Sequence, residues 1–306
     1  MNSENFTDSH SIFANIYGYM GKPLTRDPAA ADVFVIGLPY DLGTSGRAGT
    51  RSGPGAIRNA SANLRWEEKR WPWDFNVFER LRVADYGDLE FATGNHDALF
   101  EAVETHYGKL LAAGKTVLSF GGDHFVTLPL LRAHHKHFGK LALIHFDAHT
   151  DTYEEKAAVY NHGCMFYHAP REGLIDADKS IQIGIRTEYS ESRHEFEVIS
   201  AAVANDIPFE SIVERIRQRV GDSPCYLTFD IDCLDPAYAP GTGTPVAGGL
   251  TSDRALKIIR GLRGINLVGM DLVEVAPSYD HAEITSLAGA TLGLEMLYLL
   301  ASDREI

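Results

Sequence analysis

Three short polar clusters, each following an apolar run, carry the side chains best suited to chemistry. Asp147, His149 and Asp151 stand in "LIHFDAHTD", Asp230 and Asp232 in "FDIDCLDP", and His124 in "GGDH". Residues two apart on an extended segment face the same side, so Asp147, His149 and Asp151 form one polar edge, and Asp230 with Asp232 another. Brought into one crevice, Asp147, Asp151, Asp230 and Asp232 cannot all stay ionised without counter-charge. Two divalent cations supply that charge, whereas one leaves part of it uncompensated. A pair about 3.5–4 Å apart, bridged by carboxylates, suits the number of ligands. Oxygen donors with imidazoles and no thiolate favour manganese, with zinc, iron or cobalt as substitutes. Water between two such ions is far more acidic than bulk water, whose pKa is about 15.7. The expected chemistry is therefore metal-assisted hydrolysis.

These groups must be positioned by the elements before them. The runs at 33–37, 81–85, 116–120, 141–146, 181–185, 225–229 and 267–272 are short, apolar and unalternating, as strands buried on both faces should be. Between them, residues 97–112 place Leu99, Val103, Tyr107, Leu110 and Leu111 on one stripe, which predicts an amphipathic helix. Segments 127–137, 210–220, 252–263 and 285–300 predict further helices. This alternation predicts an α/β protein with a mostly parallel sheet covered on both sides, in a single domain spanning 1–306. The polar clusters follow predicted strands, and ligands of open α/β sheets bind outside the carboxyl ends of strands. Gly121 and Gly122 allow a close turn before His124.

The 306 residues are 44% hydrophobic, enough for a sizeable core. The 42 acidic against 28 basic residues, a formal charge of -14, argue against nucleic acid or an anionic membrane as partner and suit a cationic substrate. The start, "MNSENFTDSH", has no basic or apolar leader, and the reading finds no run near the roughly 18 apolar residues of a membrane span. Cys164, Cys225 and Cys233 form no CxxC pair. A soluble cytoplasmic protein is expected.

"GGDH", "DAHTD" and "FDIDCLDPAYAPGTGTP" resemble the three signature blocks of the ureohydrolase family, and "SGRAGTRSGPGAIR" and "GMDLVEVAP" extend the likeness through nearly the whole chain. The resemblance implies a three-layer α/β/α fold and two Mn²⁺ ions per chain. It implies that His124, Asp147, Asp151 and Asp230 hold one ion and Asp147, His149, Asp230 and Asp232 the other, with Asp147 and Asp230 bridging. It also implies a homo-oligomer, trimeric or hexameric. The family splits guanidino compounds into urea and an amine. His162, in "NHGCMF", matches the family position for proton transfer, a task that suits an imidazole pKa near about 6.5, with a structural histidine as the competing view.

Glu274, at the end of the last predicted strand, is the candidate for a bidentate guanidinium clamp, and Asp151 for contact with the developing amine. The loop "TYEEKAAVYN" follows the family least. There Glu154 and Glu155 would repel a carboxylate and attract a lone ammonium, so agmatine, giving putrescine, is the expected substrate, while Lys156 argues the other way. Guanidinobutyrase or arginase activity is the nearest alternative. A mononuclear zinc deacetylase and a non-catalytic metal-binding protein are more distant.

Other residues invite less. His145 shares parity with Asp147 but is expected to support the site or the core rather than ligate. His134, His135 and His137 are expected on a solvated helical face. "GTSGRAGTRSGPG" lacks the Lys-Ser/Thr ending of a phosphate loop and is expected to lead into a helix at Pro54. Cys233 is expected to pack.

Overall fold

A computed structural model of the protein describes residues 18–67, 69–155 and 159–302. Its strands are β1 (Val33–Leu38), β2 (Val83–Asp88), β3 (Thr116–Gly121), β4 (Ala142–Phe146), β5 (Ile181–Ile185), β6 (Glu197–Ser200), β7 (Cys225–Asp230) and β8 (Leu267–Val273). They form one 8-stranded sheet in the order β2-β1-β3-β8-β7-β4-β5-β6. Every neighbouring pair is parallel.

The α-helices among the described residues are α1 (Gly53–Ala60), α2 (Val77–Arg80), α3 (His96–Ala112), α4 (Thr127–Phe138), α5 (Met165–Arg171), α6 (Ala201–Asp206), α7 (Phe209–Val220), α8 (Ser252–Gly261) and α9 (Ile284–Ala301). One face of the sheet presents Val35, Phe120, Ile144, Phe146, Leu227 and Leu272 to the apolar sides of α1, α7, α8 and α9. The other presents Phe34, Ile36, Val117 and Leu143 to α3, α4 and α5. The result is the three-layer α/β/α arrangement. Burial on both faces is why the strands carry continuous apolar runs.

Two sequence expectations need correction. The chain does contain a helix long and apolar enough by composition to cross a membrane, α9, with 18 residues. It lies against β8, α1 and α8, mostly buried. Its Glu295 is buried and accepts hydrogen bonds from Trp73 Nε1 (2.7 Å) and the guanidinium groups of Arg70 (3.2 Å) and Arg260 (2.6 Å). A helix buried by other helices is apolar all round for the same reason as one in lipid. The sheet also has a strand the reading missed. β6 pairs only with β5 at the sheet edge, and of its residues only Ile199 is buried, so it lacks an apolar run.

The order of strands positions the chemistry. The strands that precede the polar clusters, β3, β8, β7 and β4, are consecutive neighbours at the centre of the sheet. His124, Asp147, Asp230 and Glu274 therefore leave the sheet side by side, although they are far apart in sequence. After β3 the chain turns within van der Waals reach of Tyr40. A Cβ on Gly122 would lie 1.7 Å from the Tyr40 carbonyl oxygen, so only glycine fits.

Candidate metal centre

Asp123 starts the turn that presents His124. Its side chain accepts from the Phe125 N–H at 3.1 Å and the Gly43 N–H at 2.6 Å, which fixes both the turn and the neighbouring loop. His124 is fully buried, and its Nδ1 lies 3.1 Å from Asp147 Oδ2, 3.0 Å from Asp151 Oδ2 and 3.2 Å from Asp230 Oδ2. Beside this group, His149 Nδ1 lies 3.1 Å from Asp232 Oδ2 and 3.4 Å from Asp147 Oδ1. Two sets of donor atoms are close enough to hold a metal: His124, His145, Asp147 and Asp151, and Asp147, His149 and Asp232. Asp147 belongs to both.

His124, Asp147, His149, Asp151, Asp230 and Asp232 thus come together. His145, expected to be supporting, donates from Nε2 to Asp147 Oδ2 at 2.7 Å and lies behind that carboxylate. Two residues of the site have left-handed backbones, Asp151 with φ 50° and Glu274 with φ 65°. Such a conformation costs on the order of 1–3 kcal/mol for a non-glycine residue. It is held by Asp151 O accepting from Phe166 N at 3.0 Å, and by Glu274 N donating to Gly122 O at 2.8 Å.

The electrostatics call for positive charge. Burial raises the pKa of Asp151 to about 7, helped by the charge of Asp147 and opposed by His124. Burial and neighbouring carboxylates likewise raise Asp230 and Asp232. Burial opposes a proton on His149, but Asp147 and Asp232 outweigh it and lift the imidazole to about 12. His124 is raised in the same way by Asp147, Asp151 and Asp230 against the cost of burial. Even so, His124 Nδ1 has no well-aligned hydrogen-bond partner. A buried imidazole nitrogen facing a ring of carboxylates without a hydrogen bond is a cation ligand in search of a cation, so the donor set fits divalent metal.

Beneath the cluster runs a row of polar residues of which only His145 was expected from the sequence. Register pairs Ser119 with Asp271, Asp271 with Thr228, Thr228 with His145, and His145 with Gln182 across β3, β8, β7, β4 and β5. Asp271 accepts hydroxyl hydrogen bonds from Thr228 (2.5 Å), Thr127 (2.9 Å) and Tyr226 (2.9 Å). Because Thr228 donates to Asp271, its oxygen accepts from His124 Nε2 at 2.9 Å, which leaves Nδ1 bare towards the carboxylates. The available signal was an ionisable residue within the apolar run "LVGMDL". Arg186, also missed, donates to the carbonyls of Gly184 (3.0 Å), Asp232 (2.6 Å) and Val246 (2.7 Å) and so staples the loop after β7.

Glu274 and His162 meet each other. His162 Nδ1 lies 2.8 Å from Glu274 Oε1, and Nε2 lies 2.7 Å from Ser45 Oγ and 3.1 Å from Ser45 N. Burial disfavours the charged imidazole, but Glu274 outweighs it, and the pKa rises to about 9. Glu274 Oε1 also accepts from the His124 backbone N–H at 2.9 Å, while Oε2 is buried without a hydrogen-bond partner. Of the two oxygens of the expected clamp, Oε1 thus already has partners within the protein and Oε2 has none.

Two cavities flank the loop after Asp151. One, of about 610 Å³, is lined by His149, Asp151, Asp230 and His162 together with Ser45, Tyr153, Glu155, Tyr160, Asn161 and Thr244. The other, of about 560 Å³, is lined by Glu154, Tyr167, Arg171, Glu188, Arg193 and His194 among others. The two glutamates expected to act together therefore separate: Glu155 faces the cavity with the metal-binding groups, and Glu154 the second one. Lys156 lies outside the described residues. His134 departs from the solvated face expected of it. It is buried against Tyr107 and Tyr226, with Nδ1 2.8 Å from Leu130 O, and burial lowers its pKa to about 4. Cys233 is buried and packs against Gly184. The glycine-rich loop does enter a helix, α1, with Pro54 in its first turn.

The central strand ends of this parallel α/β sheet converge on a buried histidine–carboxylate cluster suited to divalent metal, the setting of metal-assisted hydrolysis. The model of the arginase family matches residues 31–298, and the chain belongs to that family. It is 59% identical over 297 residues to an agmatinase of Serratia proteamaculans, covering 96% of each protein. It is 58% identical over 302 residues to an agmatinase of Proteus mirabilis, covering 98% of each. Among solved structures, a hypothetical agmatinase from Burkholderia thailandensis superposes with a TM-score of 0.93 at 45% identity, over 99% of this chain and 96% of that one. Proclavaminate amidino hydrolase from Streptomyces clavuligerus does so with 0.90 at 38%, over 95% and 99%.

Proposed function

We propose that the protein hydrolyses agmatine to putrescine and urea at a binuclear manganese centre. The observation that carries this reading is that His149, Asp151 and Asp230 of the candidate metal cluster share one cavity with His162 and the acidic Glu155, while Glu274, hydrogen-bonded to His162, keeps a buried oxygen without a partner. The relatives named agmatinase support it. One cation would be held by His124, Asp147, Asp151 and Asp230, and the other by Asp147, His149, Asp230 and Asp232. Bound there, the pair would supply water acidic enough to attack a guanidinium carbon at neutral pH.

The chain's own groups do the rest. Glu274 Oε2 receives the guanidinium, whose delocalised charge makes it a poor electrophile until it is oriented. Asp151 contacts the developing amine. His162, held between Glu274 and Ser45 on the cavity wall, keeps a proton that the departing amine can take. Glu155 accepts a hydrogen bond from Asn161 Nδ2 at 3.0 Å, and among the described residues no arginine or lysine is paired with it. Its carboxylate is placed to receive the ammonium of agmatine and to repel the carboxylate of arginine. All the described strands enter one sheet, which supports one catalytic domain per chain. The family resemblance supports a cytoplasmic homo-oligomer, trimer or hexamer, which sedimentation would test.

Steady-state urea release from agmatine, arginine and 4-guanidinobutyrate in parallel tests the reading. Agmatine is expected to be preferred over arginine by about 10⁴-fold, the scale on which a polar site rejects a group it cannot satisfy. A higher specificity constant for arginine or for 4-guanidinobutyrate would overturn the choice of substrate.

A further inference from the structure

Behind the carboxylates, a line of hydrogen bonds joins the metal centre to the second cavity. Gln182 Nε2 lies 2.7 Å from the Thr150 carbonyl oxygen and 2.9 Å from His145 Nδ1, and Gln182 Oε1 lies 2.7 Å from His194 Nε2. A carbonyl can only accept, so the Thr150 oxygen fixes the amide with its NH₂ group towards Thr150 and His145. The remaining protons follow. His145 Nδ1 accepts, so its one hydrogen is on Nε2, and it donates to Asp147 Oδ2 at 2.7 Å. Gln182 Oε1 accepts, so His194 carries its hydrogen on Nε2. One backbone oxygen thus sets the tautomers of two histidines, and the hydrogen bonds from His194 through Gln182 and His145 all run in one direction, towards Asp147.

Asp147 is the residue whose orientation matters to both halves of the centre. Its Oδ2 faces His124 Nδ1 at 3.1 Å, and its Oδ1 faces His149 Nδ1 at 3.4 Å. A turn of the carboxylate would move both oxygens. Register places Gln182 directly beside His145 on the neighbouring strand, so the sheet itself sets the line. The outer end, His194, is half-buried in the wall of the second cavity, with its ring against Tyr189 and Phe196.

We propose that His145 and Gln182 are positioning residues that hold Asp147 in the orientation both cations require, with His194 as their outer anchor. This inference rests on the binuclear reading above. It separates these residues from Thr228, which supports His124 alone and hence one cation. Outer partners of metal ligands typically carry ten- to hundredfold in metal affinity.

The test is a two-site Mn²⁺ titration by calorimetry of the metal-free full chain, beside the unfolding temperature of each metal-free variant. Gln182→Met keeps the size of the side chain and is expected to weaken both ions about ten- to hundredfold. His194→Phe preserves the ring packing, and is expected to weaken both by less. Thr228→Val is expected to weaken one ion and spare the other. His145→Gln, which keeps a donor for Asp147, should retain more affinity than His145→Leu. Wild-type affinity for both ions in Gln182→Met, or loss confined to one, would overturn the proposal. If that variant does not fold, His194→Phe and the two His145 variants decide by the same both-ions criterion. A wild-type chain that binds fewer than two ions would overturn the binuclear reading and this inference with it.

Discussion

Replacing Glu274 with Gln changes one atom type and one charge in a site where the two oxygens have different partners. Oε1 accepts from the His124 N–H at 2.9 Å and faces His162 Nδ1 at 2.8 Å, whereas Oε2 is buried and open. With the amide oxygen kept on the His124 N–H, the NH₂ group takes the place of Oε2 and meets the cationic guanidinium with a donor. A hydrogen bond to a charged group contributes about 1.5–3 kcal/mol, so kcat/KM for agmatine should fall about 10- to 150-fold. Metal content should not change, because Glu274 touches the cluster only through the His124 backbone. The assay is urea release over a range of agmatine concentrations, with elemental analysis of the same preparation. An unchanged kcat/KM, or a variant that has lost metal, would refute the assignment of the open oxygen to the guanidinium.

The same pair sets the behaviour of His162. In metal-free protein its imidazole should titrate near pH 9, protonated below that value and neutral above it, and Glu274→Gln should bring the titration down, since Glu274 is what outweighs burial; NMR of the ring protons reads both, and an unmoved titration would break the link. Asp230→Asn removes charge from a proposed shared ligand and should weaken both ions, with Mn²⁺ content measured after dialysis; retention of wild-type content would deny the bridge. Glu155→Gln should raise KM for agmatine while Glu154→Gln, facing the other cavity, leaves it near wild type. Equal effects of the two changes would contradict the separation of these glutamates.

Much of this site could be read from the sequence because its candidate ligands sit at strand ends, where an apolar run turning abruptly polar is visible without a fold. The pattern at Asp147, His149 and Asp151, and at Asp230 and Asp232, survives folding because parity on an extended segment is local. The partnership of His162 with Glu274 is not local, since the residues are separated by 112 positions and meet only because the segment after β4 and the end of β8 converge at one end of the sheet. Gln182, Thr228 and Asp271 escaped notice for a related reason. Each is one polar residue inside an apolar strand, and only register shows that they form a row beneath the ligands. The fold shows the same division. Strands buried on both faces were legible, but edge strand β6 was not, and short α5 carries Pro170 within it, which hides a helix from a reading by propensity. His134 was misjudged because three histidines in one turn look hydrophilic, and nothing local records that Tyr107 and Tyr226 close over one of them.

Hydrolysis of agmatine with two cations held on shared carboxylates can be measured directly. Chelator-treated protein is reloaded with measured Mn²⁺ while urea and putrescine are followed together from agmatine. Equal amounts of both products, negligible turnover without metal, and a rate that saturates at two ions per chain are expected. Full turnover in the metal-free protein, or saturation at a single ion, would contradict the binuclear reading.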